Sequence, residues 1–200
     1  ATAYGVLAFQ TAYLKAHYPI YFMASMLTAV MGNHRKVAEY VDECRRVKLA
    51  VLPPDVNGSG TVFTPDPRAG AIRFGLAAIK NVGTQAIDAI LSERKKSPFE
   101  SLLDFCRRVD LRVVNKRVVE SLIQGGAFDS LGGHRAQLLA ILDETIASAT
   151  KWRKERDDLQ LHLFGFVEEP NWEVEVPNIP PMPPSKQLEL EKELLGMYIS

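Results

Sequence analysis

The sequence predicts a mainly α chain with one small β-hairpin and a proline-rich, extended stretch near its end. Three observations lead there. From the N-terminus to about residue 158, most windows place apolar residues at a period near 3.6, as amphipathic helices do. Between residues 49 and 76 the pattern changes to short β-like runs, separated by Pro53-Pro54, Asn57-Gly58-Ser59-Gly60 and Pro65-Asp66-Pro67. Beyond Glu168 the chain turns acidic. There Pro170, Pro177, Pro180, Pro181, Pro183 and Pro184 remove amide donors and disfavour helix, so the stretch reads as a linker.

Residues 3–18 form the first helix, with Tyr4, Leu7, Ala8, Ala12 and Leu14 toward one side. Pro19 ends it and opens the next, which runs to about Met31. Gly32-Asn33 breaks that helix, and Asn33 or His34 starts a third whose stripe is Val37, Tyr40, Val41, Cys44 and Val47. Lys36, Arg45, Arg46 and Lys48 lie outside the stripe and read as a solvated face. A β-like run follows at Leu49–Leu52, then two short strands, Thr61–Thr64 and Ala71–Leu76, joined through PDPRAG. The stretch from Phe74 to Lys95 reads as an apolar turn, a tight bend at Ile79–Gly83 and a helix from Thr84. Gly83 is expected to supply positive φ and Thr84 to cap the helix. Ala86, Ile87, Ile90 and Leu91 form its buried face.

After Ser97-Pro98 the layout repeats. FESLLDFCRRV is a helix with Phe99, Leu102, Leu103, Phe105 and Cys106 inward, and Asp110-Leu111-Arg112 is the connection. VNKRVVESLIQ is a second helix, closed by Gly125-Gly126. The two halves share a layout and a polar, basic helix entry, not a sequence. From Gly133 one long helix is expected to about Asp158, packing Leu138, Leu139, Ile141, Leu142 and Ile146. The final KQLELEKELLGMYIS reads as a helix and strand opening a further module. The chain does not begin with Met, and it reads as a piece of a longer protein.

Acidic and basic residues balance at 24 each, so any attraction to a polyanion has to be local. Cys44 and Cys106 lack a CxxC spacing and read as buried, reduced thiols of a cytoplasmic protein. No apolar run reaches membrane-spanning length, so no membrane partner is expected. His17, His34, His134 and His162 have no metal-ligand spacing, and no paired-acid motif, Walker loop, GxSxG or dinucleotide fingerprint occurs. The expectation is a piece with no catalytic residues, metal or cofactor of its own.

Binding is what remains. A glycine-bearing turn that feeds a helix start aims free amides outward beside the positive end of the helix dipole, which suits a phosphate. Plain packing explains the same pattern equally well. Between residues 107 and 117, Arg107, Arg108, Arg112, Lys116 and Arg117 stand against one acid, Asp110, a local net of +4. That patch suits sugar-phosphate backbone, with a solvated, salt-bridged face as its alternative. No aromatic platform is interleaved with it, which favours duplex over single strand. Gln160-Leu161-His162-Leu163-Phe164 is a short apolar peptide between a charged helix and the proline-rich stretch. It is fit to dock a partner's pocket, with Leu163 and Phe164 as anchors, or to cap the local core.

YGVLAFQTAYLKAHYPIYFMASMLT, VLPPDVN, FGLAAIKNVG and NKRVVESLIQGGAFD resemble, in the same order, the bacterial replicative DNA polymerase III alpha-subunit family. The resemblance covers essentially the whole chain. It implies the end of the fingers at 1–48, a tandem helix-hairpin-helix domain on duplex DNA at 49–132, a long helix and clamp-binding motif at 133–167, and a linker to the next module at 168–200. It places the first hairpin at Ile79–Gly83, with Lys80, Asn81, Val82, Gly83 and Thr84 at the DNA. Arg112, Asn115, Lys116 and Arg117 follow in the second hairpin, whose turn from Asp110 to Val114 lacks the expected glycine. Gln160, Leu161, Leu163 and Phe164 would bind the sliding clamp, and the rest of the polymerase holoenzyme is the other implied partner. The family is a DNA-directed DNA polymerase, a nucleotidyltransferase of DNA replication that uses Mg, but its metal-binding aspartates lie N-terminal to anything here. The alternative role is a structural connector whose DNA contact is incidental.

Overall fold

The computed structural model describes residues 2–161 and 174–199. Three helices open the chain: α1 (Thr2–His17), α2 (Pro19–Ala29) and α3 (His34–Arg46). Pro19 sits in the first turn of α2, and Asn33 caps α3 by accepting the Lys36 amide at 3.2 Å. In α3, Val37, Val41 and Cys44 are buried, as their spacing predicts, whereas Val47 is half exposed. α1 buries nothing, and Tyr4, Leu7 and Phe9 face solvent.

A three-stranded sheet follows: β1 (Ala50–Leu52), β2 (Thr64–Asp66) and β3 (Ala71–Arg73), in the order β1-β3-β2, with β1 parallel and β2 antiparallel to β3. The hairpin is therefore β2–β3, but its first strand starts at Thr64 and not at Thr61. Residues 60 and 61 are occupied elsewhere, because their carbonyls accept the amides of Leu76 and Ala77, both at 3.0 Å. That approach needs Gly75, where a Cβ would lie 2.5 Å from the backbone carbon of Val62.

A 3₁₀ turn at Leu76–Ala78 leads to α4 (Thr84–Arg94), then come α5 (Leu102–Arg108) and α6 (Lys116–Gln124). The first hairpin thus has a single 3₁₀ turn where the second has a helix, so the repeat is one of layout only. Phe105 stands edge-on to both Phe99 and Phe128, at 4.8 and 4.9 Å between centroids, and all three rings are buried.

The expected single helix from residue 133 is two: α7 (Arg135–Ala140) and α8 (Leu142–Leu161), separated at Ile141. The start shifts because Gly132 and Gly133 both have positive φ, so His134 becomes the cap, paired with Gln137 in a capping box. Residues 174–183 carry no regular secondary structure, and α9 (Pro184–Leu195) follows. Leu194, Leu195 and Met197 enter the common core, and Glu191, 1 % exposed, pairs with the buried Arg135 at 2.9 Å. Among the described residues no helix is long and apolar enough to cross a membrane.

Candidate nucleic-acid interface

Two helix starts carry the predicted contacts, and the chain builds them differently. After the 3₁₀ turn the backbone bends at Asn81, with φ +68°, and not at Gly83, which is extended at φ −82°. Asn adopts this left-handed geometry more readily than most residues because its short amide can bond locally. Its Nδ2 donates to Ser121 Oγ on α6 at 3.1 Å, which ties the first turn to the second hairpin. Thr84 is not the cap either. Gly83 holds that position and has no side chain to offer, so among the described residues no side-chain acceptor covers the first-turn amides of α4. Gly83 and Thr84 are exposed, as is Lys80, whose own amide is used by the Leu194 carbonyl of α9 at 3.0 Å. Val82 is buried, with 7 % exposure, and serves packing.

In the second hairpin Asp110 does the work expected of a glycine. Its carbonyl accepts the amides of Val113 and Val114, at 3.0 and 2.8 Å, and its Oδ1 accepts that of Arg112 at 3.0 Å. No residue from 110 to 114 has positive φ, so the turn has no need of glycine. The Arg112 side chain folds back in a two-pronged bond to the same carboxylate, at 3.0 and 2.8 Å, and this holds the Asp110 carboxyl down at about 2. Asn115 caps α6 by accepting the Val118 amide at 3.2 Å. Lys116 Nζ lies 2.5 Å from Asp143 Oδ1 of α8, and this hydrogen bond raises the lysine's pKa. Arg117 is exposed and has no ion-pair partner among the described residues.

The basic run from 107 to 117 is thus not one patch. Arg108 lies over the Phe99 ring at 4.5 Å and donates to the carbonyls of Glu93, Ser97 and Pro98 and to Asp104. It satisfies the link between α4 and α5, so its charge leaves the predicted set. Arg107 turns toward α8, where its guanidinium is 5.4 Å from the Trp152 ring centroid, and Arg156 approaches that ring at 4.8 Å. Arg153 closes the C-terminal end of α5 by donating to the carbonyls of Cys106, Arg107 and Val109. Together these residues wall an open groove of about 980 Å³ between α4, the second turn and α8. Its residues come from three separated stretches, which is why the sequence did not show it; the clue available was the basic, tryptophan-bearing run KWRKER.

Gln160 and Leu161 belong by their backbone to the last turn of α8, while Leu163 and Phe164 lie outside the described residues. Among the described residues no group of three metal-ligating side chains gathers.

Residues 48–138 match a family model described as a helix-hairpin-helix motif. This stretch begins just before β1 and takes in both hairpins and the start of α7. Over its whole length the chain is 43 % identical to a DNA polymerase III subunit alpha of Vibrio cholerae, 42 % to one of Bacillus subtilis and 45 % to one of Thermus aquaticus. It spans 17, 18 and 16 % of those relatives respectively, about a sixth of their length.

Proposed function

We propose that this chain, a segment of the DNA polymerase III alpha-subunit family, is a non-catalytic region that grips the backbone of duplex DNA and tethers the polymerase to its sliding clamp. The observation that carries the first half is the bond from Asn81 to Ser121. It locks two helix starts into one unit: the α4 start offers amides with no side-chain cap, and the α6 start offers exposed cations. Amides and cations of this kind recognise phosphate and read no base, so binding is expected to be strongly salt-dependent and nearly indifferent to sequence. Replacing both Lys80 and Arg117 with Gln should lower the slope of log affinity against log salt by roughly two, about one per phosphate contact. An unchanged slope would reject the grip.

The connector reading also has a specific observation behind it, since Lys116 and Arg112 already have carboxylate partners. Charge reversal at Lys116 and Arg117 separates the two readings. It should weaken duplex binding if the hairpins grip DNA and leave it unchanged if they only connect domains. Support for the clamp tether comes from the sequence alone: QLHLF follows a charged helix and precedes a proline-rich stretch, the setting of an exposed docking peptide. Replacing Leu163 and Phe164 with Ala should cost about 2 kcal/mol or more of clamp affinity, as the loss of apolar anchors does. Calorimetry showing full affinity in that double variant would remove the tether. Nucleotidyl transfer and its Mg ions are assigned to the larger part of the polymerase that this segment does not include.

A further inference from the structure

The groove beside the second hairpin is unexplained by the grip at the two helix starts. It sits toward the opposite end of α4 from the Gly83 amides, walled by Ala89, Ser92 and Lys96 on one side and by α8 on the other. We infer that this groove is a second backbone-binding surface, which takes the phosphates of the same duplex as it leaves the hairpins and leads them along α8 toward the clamp-binding segment. The inference rests on the duplex-grip reading above.

Charge comes first. Setting aside Arg108, which is spent on the link between α4 and α5 and on Asp104, five basic residues line the groove against two acids, Glu93 and Asp110, on a chain whose net charge is zero. An excess of that size, concentrated between low-dielectric walls, attracts a polyanion where the chain as a whole does not. Shape comes second. The groove is open rather than enclosed, as a rod-like ligand passing through requires. The third argument is the state of Trp152. Arg107 and Arg156 both lie against its indole, so the ring orders guanidinium groups and is not a bare stacking platform for an unpaired base. Guanidiniums held in this way suit phosphate oxygens.

Continuity and direction complete the case. Arg112 belongs to the second hairpin's turn and also lines the groove, so the surface runs on from the grip without a gap. Lys116 pairs with Asp143 near the start of α8, and Arg153, further along it, caps the end of α5. α8 therefore runs across the second hairpin, with Arg156 beyond the capped end, and its last turn holds Gln160 and Leu161. A duplex that follows this helix moves from the hairpins toward the peptide proposed to hold the clamp.

The test uses the full-length protein that carries this segment, bound to a primer–template in two lengths: one duplex that ends at the hairpins and a longer one that crosses the groove. Lys96→Gln together with Arg156→Gln changes two exposed side chains, so folding is not at issue. On the longer duplex the salt slope should fall by roughly two, and hydroxyl-radical protection should retreat toward the primer end, while the shorter duplex binds as in the parent. Equal slopes for variant and parent on the longer duplex overturn the inference. So does an equal loss on both lengths, or competition by single-stranded oligonucleotide that is stronger than by duplex. A failed grip shows itself separately, as Lys80→Gln with Arg117→Gln having no effect on the shorter duplex.

Discussion

Glu191→Ala tests how far the described C-terminal helix supports the first hairpin. Glu191 is 1 % exposed and the Arg135 side chain 5 %, with Nη1 to Oε1 at 2.9 Å. The other oxygen of Glu191 accepts the Ile199 amide at 3.0 Å. Removing one member of a buried ion pair costs about 3–5 kcal/mol, because the remaining charge stays desolvated. Here Asp129 still holds Arg135 through Nε and Nη2, at 3.0 and 2.7 Å, and its own side chain is 44 % exposed, so the lower end applies, about 3 kcal/mol. The loss propagates through α9, whose Leu194 carbonyl holds the Lys80 amide and whose Leu194, Leu195 and Met197 lie in the core. Urea unfolding should therefore show the destabilisation, and hydrogen exchange at Lys80 should quicken more than at the buried amides of α5. Glu191→Gln, which keeps the volume and an acceptor toward Arg135, should lose less. A destabilisation below about 1 kcal/mol in the alanine variant, the size of one ordinary hydrogen bond, with Lys80 exchange unchanged, would refute the reasoning.

Asp143→Asn should raise affinity for duplex DNA, most at low salt, because it frees Lys116 from a competing carboxylate; calorimetric titration at two salt concentrations decides it. The Asp110 carboxyl should titrate near 2 by NMR and return toward the ordinary value of about 4 in Arg112→Gln, the pair being intact above the unfolded-state value and lost as pH falls through the folded one. Because this pair is exposed, acid stability should barely change with it. Burial pushes the thiol of Cys44 up to about 11 and that of Cys106 up to about 12, so alkylation of the folded protein at neutral pH should be slower than for a free thiol by roughly a hundredfold or more. Rates equal to those of the urea-unfolded chain would contradict the burial.

What the sequence revealed follows the range of the forces involved. Helices α2, α3, α4 and α6 were legible because periodicity and capping are local: Pro19, Asn33 and the stripe at Val37, Val41 and Cys44 each act within one or two turns. The resemblance to the polymerase alpha subunits was legible from four ordered motifs. Glycine was the misleading signal. Gly83 looked like the bend because glycine tolerates positive φ, yet Asn81 takes that geometry, and Ser121, forty residues away, bonds its side chain. The turn from 110 to 114 looked deficient because it has no glycine, but the Asp110 side chain and carbonyl satisfy its amides without one. The summed charge of residues 107–117 misled for a related reason. Counting charges along a chain ignores which carbonyls lie nearby, and Arg108 is spent on three of them. The helix break at Ile141 and the docking of α9 depend on long-range packing, which no local pattern reports.

On the proposed duplex grip, a chain of zero net charge that binds a polyanion needs its cations to be available at the site and otherwise neutralised. The second hairpin meets this with pairs that can exchange partners. Arg112 and Asp110 keep side-chain exposures of 90 and 39 %, and Lys116 and Asp143 of 54 and 76 %. Exposed pairs of this kind are worth little in water, so a phosphate displaces the carboxylate at small cost. The cations that hold the fold are placed the other way. Arg135 and Arg108, with side-chain exposures of 5 and 18 %, are bound by several acceptors each. Exposure therefore sorts these four cations into two groups: Arg135 and Arg108, which hold the hairpins in place, and Arg112 and Lys116, whose carboxylate partners a phosphate can replace.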